Sequence, residues 1–468
     1  MDDSVYFELK EIANELGLDF FPTYFETVPF EIMTEIASYG LPTRARHWSY
    51  GKVYNHQRIY GKMGLSKIYE IVLNNNPCYA FLLESNPDIA NKLVIAHVYG
   101  HCDFFKNNIY FKDTNRDMVN EAVQHAIRID EYIETYGLEK VERIMDIGFA
   151  LDRHIDPHMG LYRKKYPERK VVEKTVKSGE YADLFGDEKL SKEKVVINQK
   201  LPPRPEKDLL WFLSNYAPLD EWERDVLDII REESYYFFPQ FETKIINEGW
   251  ASYWHMEIMY KYDKLTPEEV IEFSRMNSGV VNPGSPFSIN PYYLGYKILV
   301  DIKRRWDKKF KDGKSEIDGT EKLFEVRAME NDISFIRNYL TKELATELNL
   351  FTHGKNCSCP PNAKNKCIKC KDIIIKSRNL EQLKETMLAS KFNYAAPKVV
   401  IEEATPGCLK MRQDDVSLGG LDVNYAVKTL EYIFELWKEP IEVLSINDEG
   451  KKVKYSFDKD GFKSKVYS

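Results

Sequence analysis

The stretch Ala96-His97-Val98-Tyr99-Gly100-His101-Cys102-Asp103 sets two imidazoles four residues apart. On a helix such residues lie about 40° apart around the axis and one turn above each other, so both rings can reach a single metal ion. Far downstream, Asn247-Glu248-Gly249-Trp250-Ala251-Ser252-Tyr253-Trp254-His255 offers a carboxylate and a third imidazole on one helical face. Zinc enzymes commonly take two histidines from one helical turn and a third ligand from another helix, leaving a position for water. His97, His101 and Glu248 have that arrangement in sequence. Zn2+ held there would lower the pKa of its water and polarise a carbonyl, which suits hydrolysis of amide bonds. His255 lies two turns beyond Glu248, about 10.5 Å along the axis. It suits a proton donor, an oxyanion stabiliser or a ligand of a second ion, so Glu248 and His255 are the catalytic candidates.

A lone H-x-x-x-H occurs more often among packed or surface histidines than in metal sites, so the downstream stretch carries much of the argument. One position counts against peptidase chemistry. The H-E-x-x-H pattern keeps its general base directly after the first histidine, and this chain has Val98 there. The base must come from elsewhere, or the water works without one. A second zinc candidate is the cluster Cys357, Cys359, Cys367 and Cys370 behind His353, although its Cys-x-Cys pair is tighter than the usual ribbon spacing; four reduced surface thiols are the competing reading. Cys102 reads as a small buried residue rather than a nucleophile. Glu121 and His125 read as an ordinary i,i+4 pair, and His154 and His158 are loop imidazoles on which a metal shell can draw.

The element that must position the two histidines is a helix. Ser85 or Asn86 can cap it, Pro87 fits its first turn, and it is predicted to run to about Lys106. Ile89, Leu93, Ala96, Tyr99 and Gly100 give it a buried side. The glutamate belongs to a helix over 241–262 that starts after a break at Pro239. Other helices are predicted over 4–16, 29–39, 65–73, 209–216, 221–236 and 324–344, with two more between 116 and 151 broken near Gly137. A strand is predicted over 79–83, loops over 41–52 and 277–291, and a helix after the latter to about Lys309.

Composition divides the chain into a helical region over 1–161, a charged linker or insertion over 162–208, a second helical region over 209–349 and a C-terminal domain over 350–468. In the last, β-rich runs at 398–402, 409–412, 441–444 and 453–457 flank a helix over 421–438, which predicts a small α+β fold. The fold class is therefore mainly α, a zincin-like helical core around the two motif helices, with that α+β domain appended. The net charge of -8 over 468 residues argues against nucleic-acid binding through a bulk basic surface. No secretory signal and no apolar run of membrane-spanning length is seen, and the scattered cysteines fit a cytosolic protein.

Several long motifs resemble the SpoVR family, the stage V sporulation protein R proteins. They are Thr43-Arg44 with His47-Trp48-Ser49; Ser66-Lys67-Ile68-Tyr69-Glu70; Ala96-His97-Val98 with His101 to Asn108; Pro203-Arg204-Pro205-Glu206-Lys207-Asp208; Asn247 to His255; and Arg337-Asn338-Tyr339-Leu340. Asn247 to Ala251 is also similar to the glutamate-bearing helix of some zinc metallopeptidase families. The resemblance implies a cytoplasmic protein of the mother cell, needed for spore cortex peptidoglycan, and carries His97, His101, Glu248 and His255 as site residues. The cysteine cluster departs from the family. The expected function is a metal-dependent, hydrolase-like protein acting on a peptide or peptidoglycan-related substrate. The alternative is a non-catalytic scaffold or regulator recruiting cortex-synthesis or signalling partners through its linker and C-terminal domain.

Overall fold

The computed structural model describes residues 4–63, 70–167, 169–177, 190–198, 200–285, 288–356, 373–389, 391–417 and 419–467. The chain forms two compact units, each built from separate stretches: residues 1–135 with 236–395, and residues 136–235 with 396–468. Cys357, Cys359, Cys367 and Cys370 lie outside the described residues.

The first unit is mainly helical around a small sheet. Its central strand, Cys78–Leu83, runs parallel to Thr23–Val28 and antiparallel to Glu70–Leu73. Against it packs the helix Asp88–Asn107, hereafter the histidine helix, which follows Pro87, carries Asp88 in its first turn and ends with Lys106 in its last. Both charges suit the helix dipole. Nearly every residue from Leu93 to Phe105 is buried, so it is a central helix rather than an amphipathic one. The glutamate helix, Lys244–Lys261, is likewise buried from Ile245 to His255.

Small residues bring these helices to backbone contact. A Cβ on Gly100 would lie 2.7 Å from Ala251 Cα, and one on Gly249 would lie 2.4 Å from the backbone of Gly295 in the helix Pro291–Lys311. The Gly and Ala of the Asn247-to-Ala251 stretch are thus packing residues as much as neighbours of Glu248. Buried carboxylates complete the joint. Asp103 accepts from Trp250 Nε1 (2.8 Å), Arg327 Nη1 (2.9 Å) and the Asp19 amide (2.8 Å). Asp332 accepts from the amides of Ile245 (2.8 Å) and Ile246 (3.0 Å), satisfying first-turn donors of the glutamate helix, and pairs with Lys391.

In the second unit a five-stranded sheet is ordered Val399–Thr405, Cys408–Gln413, Ile441–Ile446, Lys452–Asp458, Gly461–Val466. Its one parallel pairing joins Cys408–Gln413 to Ile441–Ile446, and the helix Val423–Trp437 makes that crossover. This is the α+β arrangement read from the sequence. Asp208 caps the helix Leu209–Tyr216 through the Trp211 amide, and Arg231 and Tyr235 hold its second oxygen.

Several predicted elements differ. Where a helix was expected over 65–73, the β-branched Ile71 and Val72 pair in the strand Glu70–Leu73. The charged stretch 162–208 holds an antiparallel pair, Arg169–Lys177 with Leu190–Asn198. Pro239 does not end its helix, which runs from Glu221 to Glu242; the break falls at Thr243, whose hydroxyl bonds back to the Pro239 carbonyl. His47 accepts from Ser49 and starts a helix, Trp48–Lys62, inside the expected 41–52 loop. A capping box of Thr266 and Glu269 starts the unpredicted helix Pro267–Val280, and Asn331 and Thr341 cap new helices that split 324–344.

Candidate metal centre

The two motif helices place His97, His101 and Glu248 together. Glu248 Oε2 lies 3.5 Å from His97 Nε2 and 3.4 Å from His101 Nε2, with all three residues buried. The three prospective ligand atoms lie within 4.8 Å of one another. Charge-assisted hydrogen bonds are shorter, about 2.7–2.9 Å. Tetrahedral zinc with bonds of about 2.0–2.1 Å needs donors about 3.3–3.4 Å apart. His97 Nε2 and Glu248 Oε2 make no hydrogen bond although both are buried. The residues therefore fit a divalent ion between them.

The surrounding bonds set which nitrogen of each histidine faces that point. His101 Nδ1 is 2.9 Å from Asn247 Oδ1, an acceptor, so Nδ1 carries the hydrogen and Nε2 keeps its lone pair. For His97 the same result comes through two residues. His255 Nε2 donates to Asn277 Oδ1 (2.8 Å), which leaves His255 Nδ1 as acceptor for His97 Nδ1 at 3.0 Å. That requires a neutral His255. Burial, helped by His97, pushes its pKa down to about 3.

Glu248 is held as a carboxylate. Burial disfavours its charge, but Lys244 and then His101 outweigh that and keep its pKa well below the usual range. Lys244, four residues earlier, pairs with Oε1, and Tyr292 interacts electrostatically with the carboxylate. The Tyr292 ring stacks on His97, with centroids 5.9 Å apart. Burial likewise works against protonation of His101, yet Glu248 raises its pKa, so the site favours added positive charge.

A cavity of about 520 Å³ opens beside His97, with Glu70, Tyr292 and Asn290 among its polar lining and Leu93, Val94 and Val280 among its apolar lining. Glu70, from the edge strand, interacts with His97, Glu248, His101 and Lys244, and burial raises its pKa.

Of the residues singled out in sequence, His97, His101, Glu248 and His255 come together. Glu121 and His125 pair with each other at 3.7 Å, apart from this cluster. His154 and His158 belong to the second unit and are not part of it. Val98 is fully buried, as is Cys102, a free thiol like buried Cys78. Glu70, Asn277 and Tyr292 were not singled out as site residues. Only Glu70 had a signal, as the last residue of the Ser66-to-Glu70 motif.

Comparison with known proteins agrees with the motif reading. A family model described as SpoVR like protein matches residues 3–395. A relative from Escherichia coli (strain K12), named uncharacterized protein YcgB, is 34% identical over 376 residues, covering 74% of this chain and 73% of its own length. No solved structure matches the chain.

Proposed function

The chain belongs to the SpoVR family, and on that premise we propose that it is a metal-dependent hydrolase whose single divalent ion, best matched by zinc, is bound by His97, His101 and Glu248. The observation that carries this reading is the pair of 3.4 and 3.5 Å separations between histidine nitrogens and a carboxylate oxygen, close to a zinc coordination edge. When bound, such an ion lowers the pKa of a water and polarises a carbonyl oxygen. The other roles belong to the chain. His255 is a positioning residue, since both its nitrogens are engaged in aligning His97. Asn247 aligns His101, while Lys244 fixes Glu248. The cavity beside His97 receives the substrate, a peptide or peptidoglycan-related amide, and the work is spore cortex formation in the mother-cell cytoplasm, a role supported by the family resemblance. Among the described residues no helix is long and apolar enough to cross a membrane.

The test is metal analysis of the full-length protein with Cys357, Cys359, Cys367 and Cys370 changed to Ser, so that one site is counted. One equivalent of zinc is expected, lost in His97→Ala, His101→Ala and Glu248→Ala. Zinc content unchanged by all three substitutions would refute the site. A scaffold role is the second reading, favoured by the position of the sheet strands from Val399 onward beyond the matched family region. It predicts normal sporulation in a His97→Ala, Glu248→Ala double variant.

A further inference from the structure

A hydrolytic site at His97 needs a proton acceptor, and the position next to the first histidine holds buried Val98. The nearby carboxylates can be taken in turn. Glu248 is committed to Lys244 through one oxygen and faces the histidines with the other. Asp103 is saturated by Trp250, Arg327 and the Asp19 amide. Glu70 is the acidic residue that lines the cavity beside His97.

We propose that Glu70 is the general base of this site, an assignment that rests on the hydrolase reading. Its position argues for a base rather than a fourth ligand. Glu70 lines one cavity with His97 and Tyr292 and interacts electrostatically with His97, His101, Glu248, Lys244 and Tyr292. Yet the group of ligand atoms lying within 4.8 Å of one another is His97, His101 and Glu248, without Glu70. Glu70 therefore stands outside the ligand set, on the wall of the cavity that His97 also lines. No ion pair or side-chain hydrogen bond engages its carboxylate among the described residues, in contrast to Glu248, Asp103 and Asp332. Its backbone is fixed, because Glu70 pairs with Leu82 in the sheet. A carboxylate that is unengaged, presented from a strand and aimed into the same cavity as a ligand histidine has the freedom and the support a base needs.

In the reaction Glu70 takes one proton from the attacking water as the water oxygen bonds to the amide carbonyl carbon. The water's other hydrogen stays with the acid being formed. Glu70 then passes its proton to the amide nitrogen as the C–N bond breaks, so the carboxylic acid and the amine leave and the carboxylate is restored.

The experiment uses the full-length protein loaded with Co2+, with acetohydroxamic acid as probe and the visible spectrum of the cobalt form as readout. The probe's hydroxyl proton needs an acceptor beside the metal, which is the task assigned to Glu70. Glu70→Gln is expected to retain one equivalent of metal and to bind the probe at least about tenfold more weakly, the order of one lost charge-assisted hydrogen bond. Glu70→Asp, which keeps the charge but withdraws it, is expected to fall between. Unchanged probe affinity in both variants would overturn the assignment, as would loss of the metal from both, which would make Glu70 a ligand. Failure of the underlying reading looks different: the wild-type protein would then hold no metal that depends on His97, and both ideas would fall together.

Discussion

Gly100 stands between the two histidines and offers a direct way to ask whether helix spacing sets the metal site. In Gly100→Ala the new methyl would lie 2.7 Å from Ala251 Cα and 3.3 Å from its Cβ. Carbon atoms pack at about 3.5–4.0 Å, so the histidine and glutamate helices must part by about 1 Å at this point. The nearest obstacle is backbone, which cannot rotate away as a side chain could. Overpacking of this kind costs about 1–3 kcal/mol, against about 0.5–1 kcal/mol gained from replacing glycine inside a helix. Stability should therefore drop by about 1–2 kcal/mol in urea unfolding. The larger effect falls on metal binding, because parting the helices stretches the 3.4 and 3.5 Å separations beyond what one small ion can bridge. Zinc affinity, measured by competition with a chromogenic chelator, should fall by at least tenfold. Gly51→Ala is the control. Nothing lies within 4 Å of its prospective methyl, and it sits in the helix Trp48–Lys62. It should be stabilising by a few tenths to about 1 kcal/mol and leave zinc binding alone. A Gly100→Ala protein with wild-type stability and wild-type zinc affinity would refute the claim that this contact holds the ligands in register.

Two further outcomes follow from the hydrogen-bond chain and from the second unit. Asn277→Ala removes the acceptor that fixes the His255 tautomer, and through it that of His97, so zinc affinity should fall about 10–100-fold with little change in the urea midpoint. His154 has its pKa pushed down to about 4 by burial, with Arg153 and Lys207 adding to the effect. The unfolded chain takes up this proton near pH 6.5 and the folded one only near 4. The associated stability is therefore complete above about pH 6.5 and is lost as pH falls from there towards 4, by about 2 kcal/mol at pH 5. His154→Gln should flatten that part of the stability–pH curve, and an equally steep curve in the variant would contradict the assignment.

What was legible in the sequence depended on the range of the interaction. The histidine helix could be read because its signals are local: Pro87 at the start, apolar spacing through Ile89 and Leu93, and two histidines one turn apart. The C-terminal sheet was legible for a similar reason, since four of its strands are short runs of apolar residues, mostly alternating, around one amphipathic helix, whereas the edge strand Gly461–Val466, with little apolar alternation, went unread. Convergence of Glu248 on the histidines was legible only through motif resemblance, as 147 residues separate Asp103 from its partner Trp250 on the helix that carries Glu248. Glu70 and Tyr292 escaped because neither has a spacing relation to the histidines; a strand edge and a helix start bring them there. Asn277 escaped for a different reason. Its helix begins at the Thr266–Glu269 capping box, but Gly279 and Gly284 with Pro283 give 277–291 the composition of a loop.

In the proposed site the charge arrangement lets the ligand residues assemble before any ion arrives. A buried carboxylate facing two neutral imidazoles would be costly to fold around, and small zinc domains avoid that cost by folding only with their metal. Here Lys244 supplies a positive charge on the far oxygen of Glu248, so the anion is compensated from behind while its other oxygen stays open. Asp103 and Asp332 anchor the two helices through contacts that do not involve the ligands. The scaffold thus stands on its own core, and binding energy is left to order the ligands rather than to fold the chain. Lys244→Met tests this division. It leaves Glu248 uncompensated in the apo protein, which should lose stability by about 1–3 kcal/mol, whereas saturating zinc, by supplying the missing positive charge, should restore most of that loss. Equal destabilisation with and without zinc would show that Lys244 braces the helix rather than balancing the site.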